Sequence, residues 1–391
     1  MTHYLVLGAG MQGTAAVYDL ALRGQATALT WIDSSSERLE AGLRRIAELV
    51  KFQGLRGQVI DANDRRAMQP LFTEADVCLN ALPYRFAPSL TLLALEGRCH
   101  YLDLGGNTAV VQEQLELHRG HPNAKHLCVL PDCGLMPGMG NLFVALAVAE
   151  LGDCSEVAVR CGGLPQDPKP PLDYMLVFSV AGLLNEYFGR AQVLREGRVV
   201  EVPTFTELEQ LEFDRIGAVE AFVTSGGLST TPWTFEGRID RLDYKTVRYP
   251  GHHGKFKLLL ELGLLDEDPV QFAGANQVVP RALLSGLLQK RLHFHGDRDL
   301  VVLRCSAKAK EGGRTLEIEV YDAFDEHTGF TAMERTTAWS ATACAVAVAT
   351  GEVAPGPRPL EQAMDPHSYL RALRLRGFEI QVTDSNDRSE D

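Results

Sequence analysis

Short apolar runs alternate with stretches of helical periodicity over roughly the first 133 residues. An apolar run bounded by turn residues is typical of a buried strand, and an apolar stripe at 3.6-residue spacing is typical of a helix. We expect strands at 4–7, 27–32, 57–61, 76–81, 100–104 and 127–131. We expect helices at 11–23, 35–49, 64–72, 88–96 and 109–118. This alternation predicts an α/β fold with a doubly wound, mostly parallel sheet of the Rossmann type.

The pattern changes after the loop at 131–141, which leads into an apolar helix. Expected strands then fall at 156–161, 198–204, 220–224, 300–307 and 316–321, with helices at 253–264 and 277–291. This order predicts a second α+β domain with a mostly antiparallel sheet. We therefore expect a first domain at 1–133 and a second at 134–335. Helices expected at 336–350 and 366–376 should pack back on the first domain, and the polar tail at 383–391 should fray.

A glycine-rich turn follows the first expected strand and opens the first expected helix. Its glycines are Gly8, Gly10 and Gly13, and Met11 and Gln12 lie between them. In this context glycines permit the tight turn, the approach of a pyrophosphate and close helix–strand packing, and the helix N-terminus faces the phosphates. The turn therefore predicts a dinucleotide site.

The ends of the later strands add candidate cofactor contacts. Asp33 closes the second expected strand, where a carboxylate binds ribose hydroxyls and repels a 2′-phosphate, so we expect NAD as the cofactor. Asp61 is a candidate partner of the adenine amine, and Ala62 is expected to line the adenine. The segment after the fourth strand should pass the nicotinamide ribose. Its residues are Asn80, Ala81, Leu82 and Pro83.

Composition narrows the class of partner. The 391-residue chain has a formal net charge of −13, which argues against nucleic acid and anionic membranes as partners. Its apolar runs are too short for a membrane span, and its start lacks a signal-peptide pattern, so we expect a cytoplasmic protein. We expect the eight cysteines to be reduced and mostly buried. The histidines, including His293 and His295, show no metal-ligand spacing, so we expect no metal site.

Three phrases in the second half are more specific than the turn. They occupy 161–165 (CGGLP), 224–230 (TSGGLST) and 244–252 (YKTVRYPGH). With the N-terminal turn and the 131–141 loop, they resemble the saccharopine dehydrogenase-like family, and most closely its lysine 6-dehydrogenase branch. The resemblance covers roughly residues 3–380 and fits the two-domain fold expected above.

The resemblance implies NAD-dependent oxidative deamination of an amino acid. The ε-carbon of lysine would give a hydride to NAD, and water would release ammonia from the imine. The product, allysine, cyclises to piperideine-6-carboxylate. Saccharopine-forming relatives usually carry an acid in the loop before Pro-Gly, whereas this chain has Met136, which weakens that alternative.

The chemistry requires a carboxylate clamp and a base. Arg248 is our candidate clamp, because a guanidinium binds a carboxylate bidentately and stays charged. Lys245 is either a second contact or a solvated side chain, and Thr246 and Tyr249 are expected to offer hydroxyls on one face of the strand.

The candidates for the base are Asp103, Asp132 and Cys161. Burial would raise the pKa of Asp103, although Asp103 could instead cap a turn. Asp132 could instead hold the substrate ammonium group. By the same resemblance, Cys161 matches an active-site cysteine of the saccharopine reductases, although a buried free cysteine more often serves packing.

Other functions remain open at this point. A saccharopine or carboxynorspermidine synthase-like condensing reductase would prefer NADPH, for which Arg38 could accept the 2′-phosphate. A non-catalytic NAD-binding protein would tolerate the loss of Arg248. The apolar segments around 255–292 suit a homodimer or higher homo-oligomer.

Overall fold

The first half of the chain forms a parallel sheet with helices on both faces. A computed structural model describes residues 2–271, 277–294 and 296–385. The strands are β1 (Thr2–Leu7), β2 (Ala26–Asp33), β3 (Leu55–Val59), β4 (Val77–Asn80), β5 (His100–Asp103) and β6 (Val129–Leu130). The helices are α1 (Met11–Arg23), α2 (Ser36–Leu49), α3 (Arg65–Glu74), α4 (Ala87–Gly97) and α5 (Thr108–Gly120). The strand order β3-β2-β1-β4-β5-β6 is that of a Rossmann sheet, which confirms the predicted fold class.

The second sheet is mixed. Its strands are β7 (Cys154–Pro165), β8 (Arg190–Arg195), β9 (Arg198–Pro203), β10 (Glu209–Phe213), β11 (Gly217–Val223), β12 (Ile239–Arg248), β13 (Asp299–Ala309), β14 (Thr315–Ala323) and β15 (Glu379–Asp384). Its main path runs β10-β11-β12-β7-β13-β14-β15, and β8 and β9 pair beside β12. Within the described residues β12 and β7 form the parallel pair, and the other pairs are antiparallel. The sheet is therefore mostly antiparallel, as predicted.

Helices flank this sheet and connect it to the first one. They are α6 (Met139–Leu151), α7 (Val180–Glu186), α8 (Thr231–Thr234), α9 (His252–Glu261), α10 (Pro280–Arg291), α11 (Ala332–Glu334), α12 (Ser340–Ala349), α13 (Leu360–Ala363) and α14 (Pro366–Leu375). A π-helical turn, Arg335–Trp339, links α11 to α12. Helix α12 packs against α1, β4 and β5, and α14 packs against α6 and α12. The late helices thus join the first sheet, whereas the exact domain limits remain a prediction.

Two features of the second sheet differ from the sequence prediction. Lys245 of β12, for which the sequence left a solvated side chain as one alternative, is buried and pairs with Glu209, and Asp243 of the same strand is buried in an ion pair with Arg160. The tail prediction was wrong at Thr383 and Asp384, which lie in β15 and pair with the edge of β14. The remainder of that tail, 386–391, lies outside the described residues, as does His295.

A buried carboxylate connects α1 to the late helices. The Asp19 carboxylate is fully buried and accepts hydrogen bonds from Thr342 on α12 and from Arg376, whose Nε lies 2.8 Å away. Arg23 pairs with the other oxygen at 2.8 Å. Since Arg376 follows α14, one carboxylate links three helices that are distant in sequence.

Asp19→Ala should lower the free energy of unfolding by about 3–5 kcal/mol, because it leaves the buried Arg376 charge without its partner. Urea unfolding measures the loss. Glu40→Ala is the control, since Glu40 and its partner Arg44 are both mostly exposed, and it should change stability by less than about 0.5 kcal/mol. A loss below about 1 kcal/mol for Asp19→Ala would show that the carboxylate does not hold these helices together.

Candidate active site

A cavity of about 610 Å³ lies between the carboxyl edge of the first sheet and one face of the second. Gln12 and the glycine turn after β5 line it from the first sheet. Cys161 of β7 and Thr246 and Arg248 of β12 line it from the second. Ligands of open α/β sheets bind at this edge, so the fold places a candidate dinucleotide site directly beside a second binding surface.

The glycine-rich turn has the geometry that a pyrophosphate requires. Gly8 has φ +98°, and a Cβ on Gly13 would lie 1.9 Å from the Gly8 carbonyl oxygen. Helix α1 therefore packs closely against β1. No side chain caps the N-terminus of α1 at Gly10, so its first N–H groups remain available to an anion. The residues present fit the phosphates of a dinucleotide.

Asp33 closes β2 beside this turn. One carboxylate oxygen accepts the Ala9 N–H at 2.7 Å, and the other accepts the Ser35 N–H and Arg38 Nη2, both at 2.7 Å. Burial alone would raise the pKa of Asp33, but these hydrogen bonds hold it below its ordinary value. The carboxylate is therefore charged at neutral pH, with the partly exposed Arg38 guanidinium beside it.

The other predicted cofactor residues lie in different surroundings. Ala81 and Leu82 are the nearest neighbours of the position that a Gly8 side chain would occupy, so they lie beside the turn, and Pro83 follows them. Asn80 is buried and bonds the Tyr101 hydroxyl at 2.8 Å and the Leu82 N–H at 3.0 Å, which fixes this segment. Asp61 and Ala62 follow β3, where the exposed Asp61 carboxylate accepts from Asn63.

Strand β12 and Tyr249, which directly follows it, place the four predicted substrate residues on two opposite sides. Thr246 and Arg248 face the cavity with Tyr244. Lys245 lies on the opposite face and pairs with Glu209 at 2.8 Å, and the Tyr249 hydroxyl donates to the Pro165 carbonyl at 2.9 Å. The expectation that Thr246 and Tyr249 share a face is corrected, because side chains three positions apart on a strand point to opposite sides.

Arg248 is the largest charged group buried at the cavity. Its side chain is 2 % exposed, and no carboxylate of the described residues lies within ion-pairing distance. Its Nε donates to the Tyr187 hydroxyl at 2.8 Å and its Nη1 to the Val247 carbonyl at 2.9 Å, while the Tyr174 ring lies 4.7 Å from the guanidinium carbon. A buried cation without a counter-ion is costly, so the site is complementary to an anionic ligand.

The two predicted acids lie behind the cavity wall. Asp103 accepts hydrogen bonds from the Gln114 amide and from the N–H groups of Gly105 and Asp132, and burial raises its pKa. Asp103 thus caps a turn, which the sequence allowed as the alternative to a catalytic base. Asp132 accepts from the Ser229 hydroxyl, its other carboxylate oxygen has no hydrogen-bond partner among the described residues, and burial raises its pKa well above the ordinary range.

Cys161, the third candidate base, lines the cavity as a thiol, because burial raises its pKa. All eight cysteines of the chain are buried and free. Within the described ranges, no group of three His, Cys, Asp or Glu side chains is placed to hold a metal ion. No helix in the same part of the chain is both long and apolar enough to cross a membrane.

Glu186 is a cavity residue that the sequence analysis did not identify. It ends α7, lines the cavity and lies within electrostatic reach of Arg248. Burial raises its pKa to about 7, although the Arg248 charge opposes the shift. The sequence signal that could have identified it is a single acidic residue at the end of the mostly apolar helix Val180–Glu186. A carboxyl group with this pKa exchanges protons near neutral pH.

Comparison with known proteins identifies both halves of the chain. The model of the saccharopine dehydrogenase NADP binding domain matches residues 4–129, and that of the saccharopine dehydrogenase C-terminal domain matches residues 134–378. An NADP(+), L-glutamate-forming saccharopine dehydrogenase of Schizosaccharomyces pombe is 24% identical over 223 residues, 54% of this chain and 48% of that protein. Its Saccharomyces cerevisiae counterpart is 24% identical over 229 residues, 56% of this chain and 50% of that protein.

The alignments thus span about half the length of these curated relatives. A solved structure of apo L-Glu-forming saccharopine dehydrogenase from Saccharomyces cerevisiae superposes with a TM-score of 0.75 at 16% identity. The superposition covers 98% of this chain and 100% of that one, which shows a shared fold.

Gly13→Ala should weaken binding of a reduced dinucleotide, NADH or NADPH, at least about tenfold, or about 1.4 kcal/mol, because the new Cβ would collide with the Gly8 carbonyl and displace the start of α1. Fluorescence titrations with NADH and with NADPH measure the dissociation constants. Gly120→Ala, at a helical position with no atom within 4 Å of the new Cβ, should bind normally. Unchanged affinity in Gly13→Ala would exclude this turn as the phosphate site.

Proposed function

The chain belongs to the saccharopine dehydrogenase family, and from that premise we propose that it oxidises the ε-amine of L-lysine with NAD. The balanced reaction consumes the lysine cation, NAD and water and yields allysine, NADH, ammonium and a proton, with allysine cyclising to piperideine-6-carboxylate. The nicotinamide, when bound, accepts the hydride from the ε-carbon. The observation that carries the proposal is the buried, unpaired guanidinium of Arg248.

The charge balance of the cavity favours a substrate with one carboxylate. Among the described residues, the charged side chains that line it are Glu186, Arg190 and Arg248. Arg190 is half-exposed and already pairs with Glu201 at 3.1 Å, so Arg248 is the cation left for a substrate anion. Lysine carries one carboxylate, whereas saccharopine carries three. Met136, which lines the same cavity, brings no charge.

Glu186 supplies the proton acceptor that the reaction needs. An alkylammonium group must lose a proton before its carbon can give up a hydride. A carboxylate whose pKa is about 7 is ionised above neutral pH, and it attracts a cationic amine into the cavity. We propose Glu186 as the base, in preference to Asp103 and Asp132, whose carboxylates lie behind the wall, and to Cys161, which stays a thiol.

The preference for NAD rests on Asp33. Its charged carboxylate closes β2, where the ribose of a dinucleotide lies, and would repel a 2′-phosphate. The curated relatives are named for NADP(+), and Arg38 beside Asp33 offers a cation to such a phosphate. These two observations favour the second candidate, an NADPH-dependent reductase that condenses an amino acid with an aldehyde.

A homodimer through 255–292 also remains a proposal. Leu258 on α9, Leu262 directly after it, and Leu283 and Leu287 on α10 are each half or more exposed, which suits a contact with a second copy. Part of that segment, 272–276, lies outside the described residues. The cytoplasmic location likewise stays a prediction.

Absorbance at 340 nm should rise with L-lysine and NAD, and more slowly when NADP replaces NAD or when ornithine or saccharopine replaces lysine. Arg248→Ala should lower kcat/KM for lysine at least about 100-fold, because a charge-assisted bidentate contact contributes about 3 kcal/mol. Arg238→Ala, which removes an exposed ion pair with Asp153, should be indistinguishable from the unmodified chain.

If absorbance at 340 nm does not rise with any of the amines, this function is contradicted. NADPH oxidation with an aldehyde and an amino acid would then establish the condensing reductase. Dinucleotide binding without turnover in either direction would leave a non-catalytic NAD-binding protein.

The value of kcat/KM should rise with pH through about 7, because Glu186 must be deprotonated to accept the ammonium proton. Glu186→Gln should lower kcat about 100-fold and abolish this rise. A pH series with lysine at constant ionic strength measures both effects. Glu113→Gln, on the exposed face of α5, should keep the pH dependence. If Glu186→Gln keeps it as well, the base is a different group.

A further inference from the structure

Two buried side chains hold Arg248 in its orientation toward the cavity. We propose that Tyr187 and His252 are positioning residues, which fix the guanidinium so that its free N–H groups meet the substrate carboxylate. The inference rests on the proposed function, since it takes Arg248 as the carboxylate anchor. Neither side chain lines the cavity, so each would act through Arg248.

The hydrogen bonds run in one direction, from Arg248 as the first donor through Tyr187 and His252 to the Leu172 carbonyl. The His252 Nδ1 lies 3.1 Å from the Leu172 carbonyl oxygen. Because a carbonyl oxygen only accepts, Nδ1 carries the hydrogen. Burial, reinforced by the Arg248 charge, lowers the pKa of His252 to about 3, so the ring is neutral and its Nε2 accepts.

The Tyr187 hydroxyl completes the chain. It lies 3.0 Å from His252 Nε2, which can only accept, so the hydroxyl donates to the ring. Its oxygen is then left to accept from Arg248 Nε at 2.8 Å. Each donor therefore meets an acceptor, and a neutral histidine with the hydrogen on Nδ1 is the state that aligns Tyr187 with the guanidinium.

The surroundings prevent water from replacing these bonds. Tyr187 and His252 are fully buried, and the Phe256 ring lies 4.8 Å from the tyrosine ring and 5.4 Å from the imidazole. Phe222 packs against both rings. In this apolar enclosure, loss of one hydroxyl leaves Arg248 Nε without a partner, and the guanidinium can turn away from the cavity.

The arrangement also determines which atoms remain for the ligand. Nε is held by Tyr187 and Nη1 by the Val247 carbonyl. Nη2 makes no hydrogen bond to the described residues, and Nη1 keeps a second hydrogen. Tyr174 covers the guanidinium from one side. The carboxylate of the substrate would therefore meet the terminal edge of a guanidinium already held in place.

Tyr187→Phe keeps the ring and removes the hydroxyl. It should raise the KM for L-lysine at least tenfold, while kcat stays within about threefold and the KM for NAD and the pH dependence stay unchanged. His252→Asn keeps a donor near Leu172 and removes the acceptor for Tyr187, so it should raise the KM for lysine severalfold in the same pattern. Tyr4→Phe, which loses a buried hydroxyl bonded to the Gly24 carbonyl, is the matched control and should leave both constants unchanged.

The outcomes separate this inference from the function on which it rests. If Arg248→Ala raises the KM for lysine and neither Tyr187→Phe nor His252→Asn does, the positioning role is wrong and the anchor stands. If the two variants lower kcat or weaken NAD binding together with lysine binding, their role is general folding, which also overturns the inference. If Arg248→Ala changes neither kinetic constant, or the chain oxidises no amino acid, Arg248 is not the carboxylate anchor, and the positioning role of Tyr187 and His252 is then also wrong.

Discussion

The burial of the Arg248 guanidinium without a carboxylate partner is the constraint around which the second sheet is organised. A charge removed from water requires compensation, and here it comes from one hydroxyl, one main-chain carbonyl and one aromatic face. Strand β12 places the side chain by lying between β11 and β7, with Arg248 at its end. The incomplete compensation gives the cavity its complementarity to an anion.

Glu186 and Arg248 line the same cavity and carry opposite charges, but they do not form an ion pair. A direct ion pair would neutralise both groups and hold the carboxyl group ionised. Because they interact without forming an ion pair, burial dominates at Glu186, its pKa rises to about 7, and Arg248 keeps N–H groups free. The first sheet contributes the uncapped start of α1 and the charged Asp33. The late helices, joined through Asp19, hold this sheet against the second.

Much of the first domain could be predicted from sequence because its information is local. Strand periodicity, the turn of Gly8 and Gly13 and the acid that closes β2 each lie within one β–α unit. The second sheet could not be predicted as well, because its polar strands are stabilised by distant partners. The burial of Lys245 depends on Glu209, and the pKa of Glu186 depends on its burial in the folded chain and on the nearby Arg248 charge. Contacts between residues so distant in the sequence cannot be predicted from the spacing of residues within one segment.

The most direct test of this account is a crystal structure of the complex with NADH and L-lysine, a combination that cannot react. In that complex the lysine carboxylate should lie within about 3 Å of Arg248 Nη1 and Nη2, with Arg248 Nε still bonded to Tyr187. A lysine bound with its carboxylate elsewhere, or an Arg248 that stays unpaired in the occupied site, would contradict it.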